Sequence, residues 1–151
     1  MGNVRLPEMQ NSVSGTQSKV TGRCHFGRIT YVALGAPRNV RICHCHGCQQ
    51  LTGSAFFARA LFARTAVTST GSPTSYDSSG DLTRQFCPVC SSMLFAFRKS
   101  APDTIAVAIG TLDVPSAYPP DCHIWTESRI SWLQIADHLP QFERFPSSSK
   151  Q

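Results

Sequence analysis

Five cysteines gathered into two short stretches constrain this chain more than any other feature of it. Cys43-His44-Cys45-His46-Gly47-Cys48 carries three, and Cys87-Pro88-Val89-Cys90 carries two. Zinc prefers four soft or borderline ligands in a tetrahedron. The two-residue gap between Cys87 and Cys90 lets both sulfurs of a tight turn face one ion. On an extended backbone Cys43 and Cys45 point to the same side, and a turn through Gly47 brings Cys48 to it. Three thiolates from six residues leave one coordination position for water or substrate, the arrangement of a catalytic zinc. The spacing is equally compatible with a single four-ligand site completed by Cys87 or Cys90. His44 and His46 face away from the thiolate side and read as supporting or exposed groups rather than ligands. Cys24 and Cys122 stand apart from both clusters and, taken alone, read as small buried hydrophobes.

The remaining composition bounds the fold. With 151 residues, 41% hydrophobic and 15% charged, the chain suits one globular domain with a core. Seven cysteines are an odd number, and their clustering argues against a disulfide framework. No run of eighteen apolar residues is present, and the opening MGNVRLPEMQNSVSGTQ has no apolar signal region. A reducing, cytoplasmic setting is the expectation. The net charge of +5 comes from scattered arginines with no block of like charge, so no nucleic-acid tail is indicated. A solvated basic surface is the favoured reading of that charge, and a small anionic substrate drawn by local arginines is the sharper alternative.

Residues 1–19 are polar and without periodicity and are expected as a flexible arm, 20–144 as the domain, and 145–151 as a flexible tail. Between the ends, short β-branched and aromatic runs alternate with Gly/Pro turns, which predicts a mainly β domain. Strands are expected within 28–34, 40–43, 55–62, 82–86, 93–97, 104–109, 123–125 and 130–133, and a short segment around Tyr76 lies between turns. One helical turn is expected from Cys48 to Thr52, ending at Gly53.

Set in order, these pieces resemble the glutathione-dependent formaldehyde-activating enzymes, a family that also includes centromere protein V. The matching residues are Gly22-x-Cys24-x-x-Gly27, Cys43-His44-Cys45-x-x-Cys48, Thr52-Gly53-Ser54-Ala55-Phe56, Tyr76 and Ser79-Gly80. Further on come Phe86-Cys87-x-x-Cys90, Gly110-Thr111-Leu112-Asp113, Pro120, His123-Ile124-Trp125, Ser128 and Trp132. The resemblance implies a β-tent fold of short antiparallel strands and two zinc sites. A structural zinc falls to Cys24, Cys87 and Cys90, and a catalytic zinc with an open position to Cys43, Cys45 and Cys48. That reading replaces the buried-hydrophobe role for Cys24. Two residues depart from the family pattern: Phe26 stands where a fourth cysteine is usual, and Ser91 where glycine usually follows the last cysteine.

The implied activity is that of a carbon–sulfur lyase acting on a thiol/aldehyde adduct whose substrate family membership does not fix; glutathione as co-substrate with formaldehyde, giving S-hydroxymethylglutathione, is the family's named pair, and a different thiol or aldehyde is the other. The alternative is a non-catalytic zinc module that binds a protein or chromosome-associated partner. His46, His123 and Asp113 are the candidate bases, with a satisfied structural role favoured for His123. Arg59 and Arg84 are candidates to meet glutathione carboxylates, although solvent is the commoner place for an arginine.

Overall fold

The computed structural model describes residues 17–147. Alternation of apolar and polar residues builds the first hairpin. Lys19–Arg23 (β1) and Thr30–Leu34 (β2) share one burial pattern, with Val20, Tyr31 and Ala33 inward. Val67–Thr70 (β5) pairs with β2 to complete a three-stranded antiparallel sheet. Gly22 is required here, because a Cβ at that position would overlap the Tyr31 ring.

The second sheet has seven strands. It contains Asn39–Cys43 (β3), Phe57–Ala63 (β4), Thr74–Asp77 (β6), Leu82–Phe86 (β7), Met93–Arg98 (β8), Ala101–Ala108 (β9) and Cys122–Ile124 (β10). Their spatial order is β10-β3-β4-β9-β8-β7-β6. Every pairing is antiparallel except that of β10 with β3. Both sheets feed one buried cluster, in which Val20, Tyr31 and Ala33 meet Phe62, Leu94, Phe95, Ile105 and Val107. Tyr31 and Phe95 meet edge to face at 5.1 Å, a favoured aromatic geometry. The mainly β expectation therefore holds, with a single α-helix among the described residues, His46–Thr52 (α1).

The helix ends as its sequence implies, at Gly53 with φ 60°, a left-handed position that costs glycine nothing. The expected strand at 130–133 does not form. The Leu133 N–H bonds back to the Ile130 carbonyl at 3.0 Å, closing a turn that leaves no ladder for a neighbour. Three strands lie outside the predicted set: β1, which Lys19 of the expected arm opens, β5, and β6, which forms in the segment around Tyr76. At the other end, Phe145 of the expected tail stands edge-on to Trp125 at 5.7 Å. Most of the predicted arm and the last four residues of the tail fall outside the described residues.

Candidate metal centres

The fold gathers six of the seven cysteines into two separate triads. Within each, the three sulfurs lie within 4.8 Å of one another. Tetrahedral thiolates about 2.3 Å from zinc stand roughly 3.8 Å apart, so both donor sets fit that ion. The single four-ligand site left open by the spacing is thereby excluded: Cys24, Cys87 and Cys90 form one group, and Cys43, Cys45 and Cys48 the other.

The first triad joins the two sheets. Cys24 sits in the turn after β1, where its sulfur accepts the Ile29 N–H at 3.3 Å and its carbonyl accepts the Gly27 N–H at 2.9 Å. Cys87 follows β7 and is fully buried, and burial pushes its thiol pKa up. Cys90 is pulled down to about 6, first by Ser92, whose hydroxyl lies 3.2 Å from its sulfur. Phe26 turns to solvent at 62% exposure, and no fourth His, Cys, Asp or Glu joins the group among the described residues. The other departure, Ser91, adopts φ 59° in the turn where its N–H reaches the Cys87 carbonyl at 2.8 Å. A left-handed non-glycine residue costs about 1 kcal/mol, so Ser91→Gly is expected to raise stability by about that amount. Chemical denaturation would show it as a higher midpoint at unchanged slope; a lower midpoint would contradict it.

The second triad is local. Cys43 ends β3, Cys45 caps α1 and Cys48 lies in its first turn, with the Cys48 N–H directed at the Cys45 sulfur (3.4 Å). The three sulfurs share protons, and hydrogen bonds from Cys43 and Cys48 draw Cys45 well below an ordinary thiol, while Cys43 is driven up. Arg84 of β7 completes the group. It is 5% exposed, and its Nη2 approaches the Cys48 sulfur at 3.7 Å while its Nε donates to Ser78 Oγ at 3.2 Å. Solvent is thus not its environment. No carboxylate pairs with it among the described residues.

This triad opens into a cavity of about 880 Å³, walled by Phe57, Ile124, Trp125 and Phe145 and by the arginines 38, 41, 59, 84 and 98. The first triad does not line it. Behind the metal loop, His44 is wholly buried and stacks on His123, with Nε2 to Nδ1 at 2.8 Å; His123 Nε2 reaches Asp137 Oδ2 at 2.8 Å. Burial, then the charges of His123 and Arg129, pushes His44 down to about 4, which keeps it uncharged at neutral pH. His44 Nδ1 is buried and has no hydrogen-bond partner among the described residues. The backbone at His44 is pinned as well: its N–H donates to Ile124 and its carbonyl accepts from Gln49 Nε2.

Other sequence-selected residues lie elsewhere. His46 starts α1 in solvent, and Asp113 bonds Thr21 and faces Arg23, away from the cavity. His123 is satisfied structurally, as favoured. Cys122 is buried, as read from its isolation. Arg41, Phe57 and Asp137 were not selected. Arg41 and Phe57 stand beside Cys43 by strand register, whereas nothing local marks Asp137.

Two clusters of three thiolates on a mainly antiparallel β scaffold, one beneath a cavity, define a candidate thiolate metalloprotein. The family model described as "Glutathione-dependent formaldehyde-activating enzyme" matches residues 19–128, and the chain belongs to that family. The fold is also similar to a crystal structure of a Rhodobacter sphaeroides protein, with a TM-score of 0.51 and 21% identity over 62% of this chain and 87% of that one. None of the curated proteins matches. Among the described residues, no helix is long and apolar enough to cross a membrane.

Proposed function

We propose that the chain is a zinc-dependent enzyme of carbon–sulfur lyase type that joins a thiol to a small aldehyde, glutathione and formaldehyde being the pair the family name suggests. In this reaction a sulfur–carbon bond forms, the carbonyl π bond opens, and the thiol proton ends on the aldehyde oxygen. The observation that carries the reading is the unequal placement of the two triads: Cys43, Cys45 and Cys48 line the large cavity, and Cys24, Cys87 and Cys90 do not. We assign the catalytic metal to Cys43, Cys45 and Cys48 and the structural metal to Cys24, Cys87 and Cys90.

Bound zinc supplies stabilisation of an incoming thiol as its thiolate near neutral pH. The protein's own residues set the terms of that chemistry. Cys43, Cys45 and Cys48 would hold the ion where they line the cavity. Three thiolates place −3 on a +2 ion, which weakens its electron-withdrawing power. Arg84, at the Cys48 sulfur, draws charge back from that set. Phe57, Ile124 and Trp125 give the cavity an apolar wall that thins out water and strengthens these electrostatic effects. Arg41 and Arg59 present positive charge to the organic part of the substrate. Such thiolate sites survive best in a reducing compartment, and we place the enzyme in the cytoplasm.

The test is adduct formation followed by NMR with glutathione and formaldehyde, measured above the uncatalysed rate. The zinc-loaded protein is expected to accelerate it, and Cys45→Ser to return it to the background. Undiminished acceleration by Cys45→Ser would remove the second triad from the reaction.

A further inference from the structure

Beyond residue 128, the last that the family model matches, the chain comes back along β10. The His123 N–H donates to the Pro140 carbonyl and the Phe142 N–H to the His123 carbonyl, each at 2.9 Å, and His123 forms a parallel bridge with Gln141. Two residues further on, the Trp125 N–H reaches the Arg144 carbonyl at 3.2 Å. Thr126 adds two bonds to the Phe142 carbonyl, from its N–H at 3.1 Å and from its hydroxyl at 3.0 Å. These bonds hold the backbone of a strap over 140–144, and they deliver the next side chain, Phe145, to the cavity.

Phe145 is 46% exposed, yet it lines the cavity and meets two of its sides. Its ring centre lies 5.7 Å from that of Trp125 and 5.5 Å from the Arg98 guanidinium carbon. Trp125 follows β10 and Arg98 ends β8, and three strands stand between those two. At ordinary strand spacing that separation is roughly 19 Å along the sheet. A single ring in contact with side chains from both therefore crosses the space above β3, β4 and β9, where Cys43, Phe57 and Ala106 line the same cavity. Both supports are fixed. Arg98 is paired with Asp81 at 2.9 Å, and Asp81 also accepts the Ser100 N–H at 2.8 Å. The Arg144 guanidinium lies 5.6 Å from the Trp125 ring and is paired with Glu127 at 2.9 Å. A cation over an aromatic face attracts it, so Trp125 and Phe145 are each held by an arginine that a carboxylate keeps in place.

We propose that Phe145 is a specificity-determining residue, a crossbar at the mouth of the cavity. It admits slender thiols and aldehydes to the Cys43, Cys45 and Cys48 triad and holds back those with a ring or a branched group beside the reacting atom. The cavity behind it, about 880 Å³, is roomy, so selection falls at entry. That the admitted molecules react there rests on the function proposed above; the crossbar itself is a matter of access and is tested without turnover.

The experiment treats the zinc-loaded full chain with N-methylmaleimide and, separately, with N-(1-pyrenyl)maleimide, which share a reactive group and differ in bulk. Mass spectrometry of the digested chain follows each cysteine. The rate with the bulky reagent over that with the small one, relative to the same ratio for free cysteine, is expected to be at least 10-fold depressed at Cys45. Phe145→Ala should raise the Cys45 ratio at least 5-fold and leave the ratio at Cys90, outside the cavity, within 2-fold. Phe145→Trp should depress the Cys45 ratio further. Phe145→Ala is expected to melt within about 4 °C of the parent, because the ring is half-exposed and backbone bonds hold the strap. A Cys45 ratio equal to that of free cysteine, or unchanged in Phe145→Ala, overturns the crossbar. So does equal acceleration of both reagents by Phe145→Ala, the sign of a strap that has merely come loose. Selective access without thiol–aldehyde turnover keeps the crossbar and removes the reaction. Turnover whose preference for 2-mercaptoethanol over 2-methylpropane-2-thiol is the same in Phe145→Ala as in the parent keeps the reaction and removes the specificity role.

Discussion

Cys87→Ser is expected to lose one zinc ion per chain and to lower the melting temperature by roughly 15 °C. The reason is where the first triad sits. Cys24 belongs to the turn that closes the β1–β2 hairpin of the small sheet, and Cys87 and Cys90 to the turn between β7 and β8 of the large one. One ion bound there would therefore tie two sheets whose ligands are far apart in sequence, and closing a long loop removes the most freedom from the unfolded chain. A structural zinc contributes on the order of 10 kcal/mol to folding. With no fourth cysteine at position 26, a three-thiolate site is expected to contribute about half of that energy, and all of that half goes with the ion.

Cys45→Ser supplies the contrast. Its triad spans six residues at the end of β3 and the start of α1. An ion there closes only a short loop, so its loss should cost the other zinc but no more than about 5 °C. Metal content by mass spectrometry, with calorimetry on the same samples, checks both halves. Equal melting losses for the two variants would deny the division into a structural and a cavity-facing site. Retention of both ions in Cys87→Ser would deny the first site altogether.

The sequence made the chemistry legible where the donors were local. Cys43, Cys45 and Cys48 are close enough that strand alternation and one turn decide their geometry, and the structure brings them together. Cys24 could not be joined to Cys87 by spacing, since a hairpin of one sheet must meet a turn of the other; only the family resemblance linked them. The strands built on apolar alternation were also legible, as in β2, β4 and β8. Those that escaped, β1, β5 and β6, offer few apolar residues: β5 is Val-Thr-Ser-Thr, with three of its four residues exposed, and β6 is Thr-Ser-Tyr-Asp, exposed throughout. The opposite failure at 130–133 came from apolar residues read as a strand, although Trp132 is 71% exposed and the backbone closes on itself.

Arginine roles were the least legible part of the site. Arg41 is two residues before Cys43 and so shares its face, a signal present in the sequence but lost among scattered basic residues. Arg59 acquires its meaning only from the β3–β4 register, which no local pattern fixes. His44 was readable as a supporting group beside the ligands, but its route through His123 to Asp137 needs a contact across 79 residues and another across 14.

Arg84→Gln is expected to weaken zinc at the Cys43 triad by about 10- to 100-fold and to leave the other ion in place. Burying a guanidinium is expensive unless a negative charge meets it. Arg84 has no carboxylate partner among the described residues; its Nη2 meets the Cys48 sulfur at 3.7 Å, a negative partner once that thiol is held as a metal ligand, with the Phe57 ring centroid 6.0 Å from the guanidinium carbon. The positive charge lowers the cost of holding Cys45 and Cys48 as thiolates, the form that binds metal. A hydrogen bond to a charged group is worth about 1.5–3 kcal/mol, which sets the expected range. Glutamine keeps a polar group near Ser78 but supplies no charge. The same loss leaves the thiolates more electron-rich, so turnover per bound zinc should fall together with affinity. Lysine at this position restores charge without the guanidinium fork and should recover only part of both. Competition with a graded series of chelators measures the two zinc affinities separately, because Cys87→Ser identifies which step belongs to which triad. An unchanged midpoint for the Cys43 step in Arg84→Gln would mean that the arginine serves packing against Phe57 and that the triad holds its ion without help.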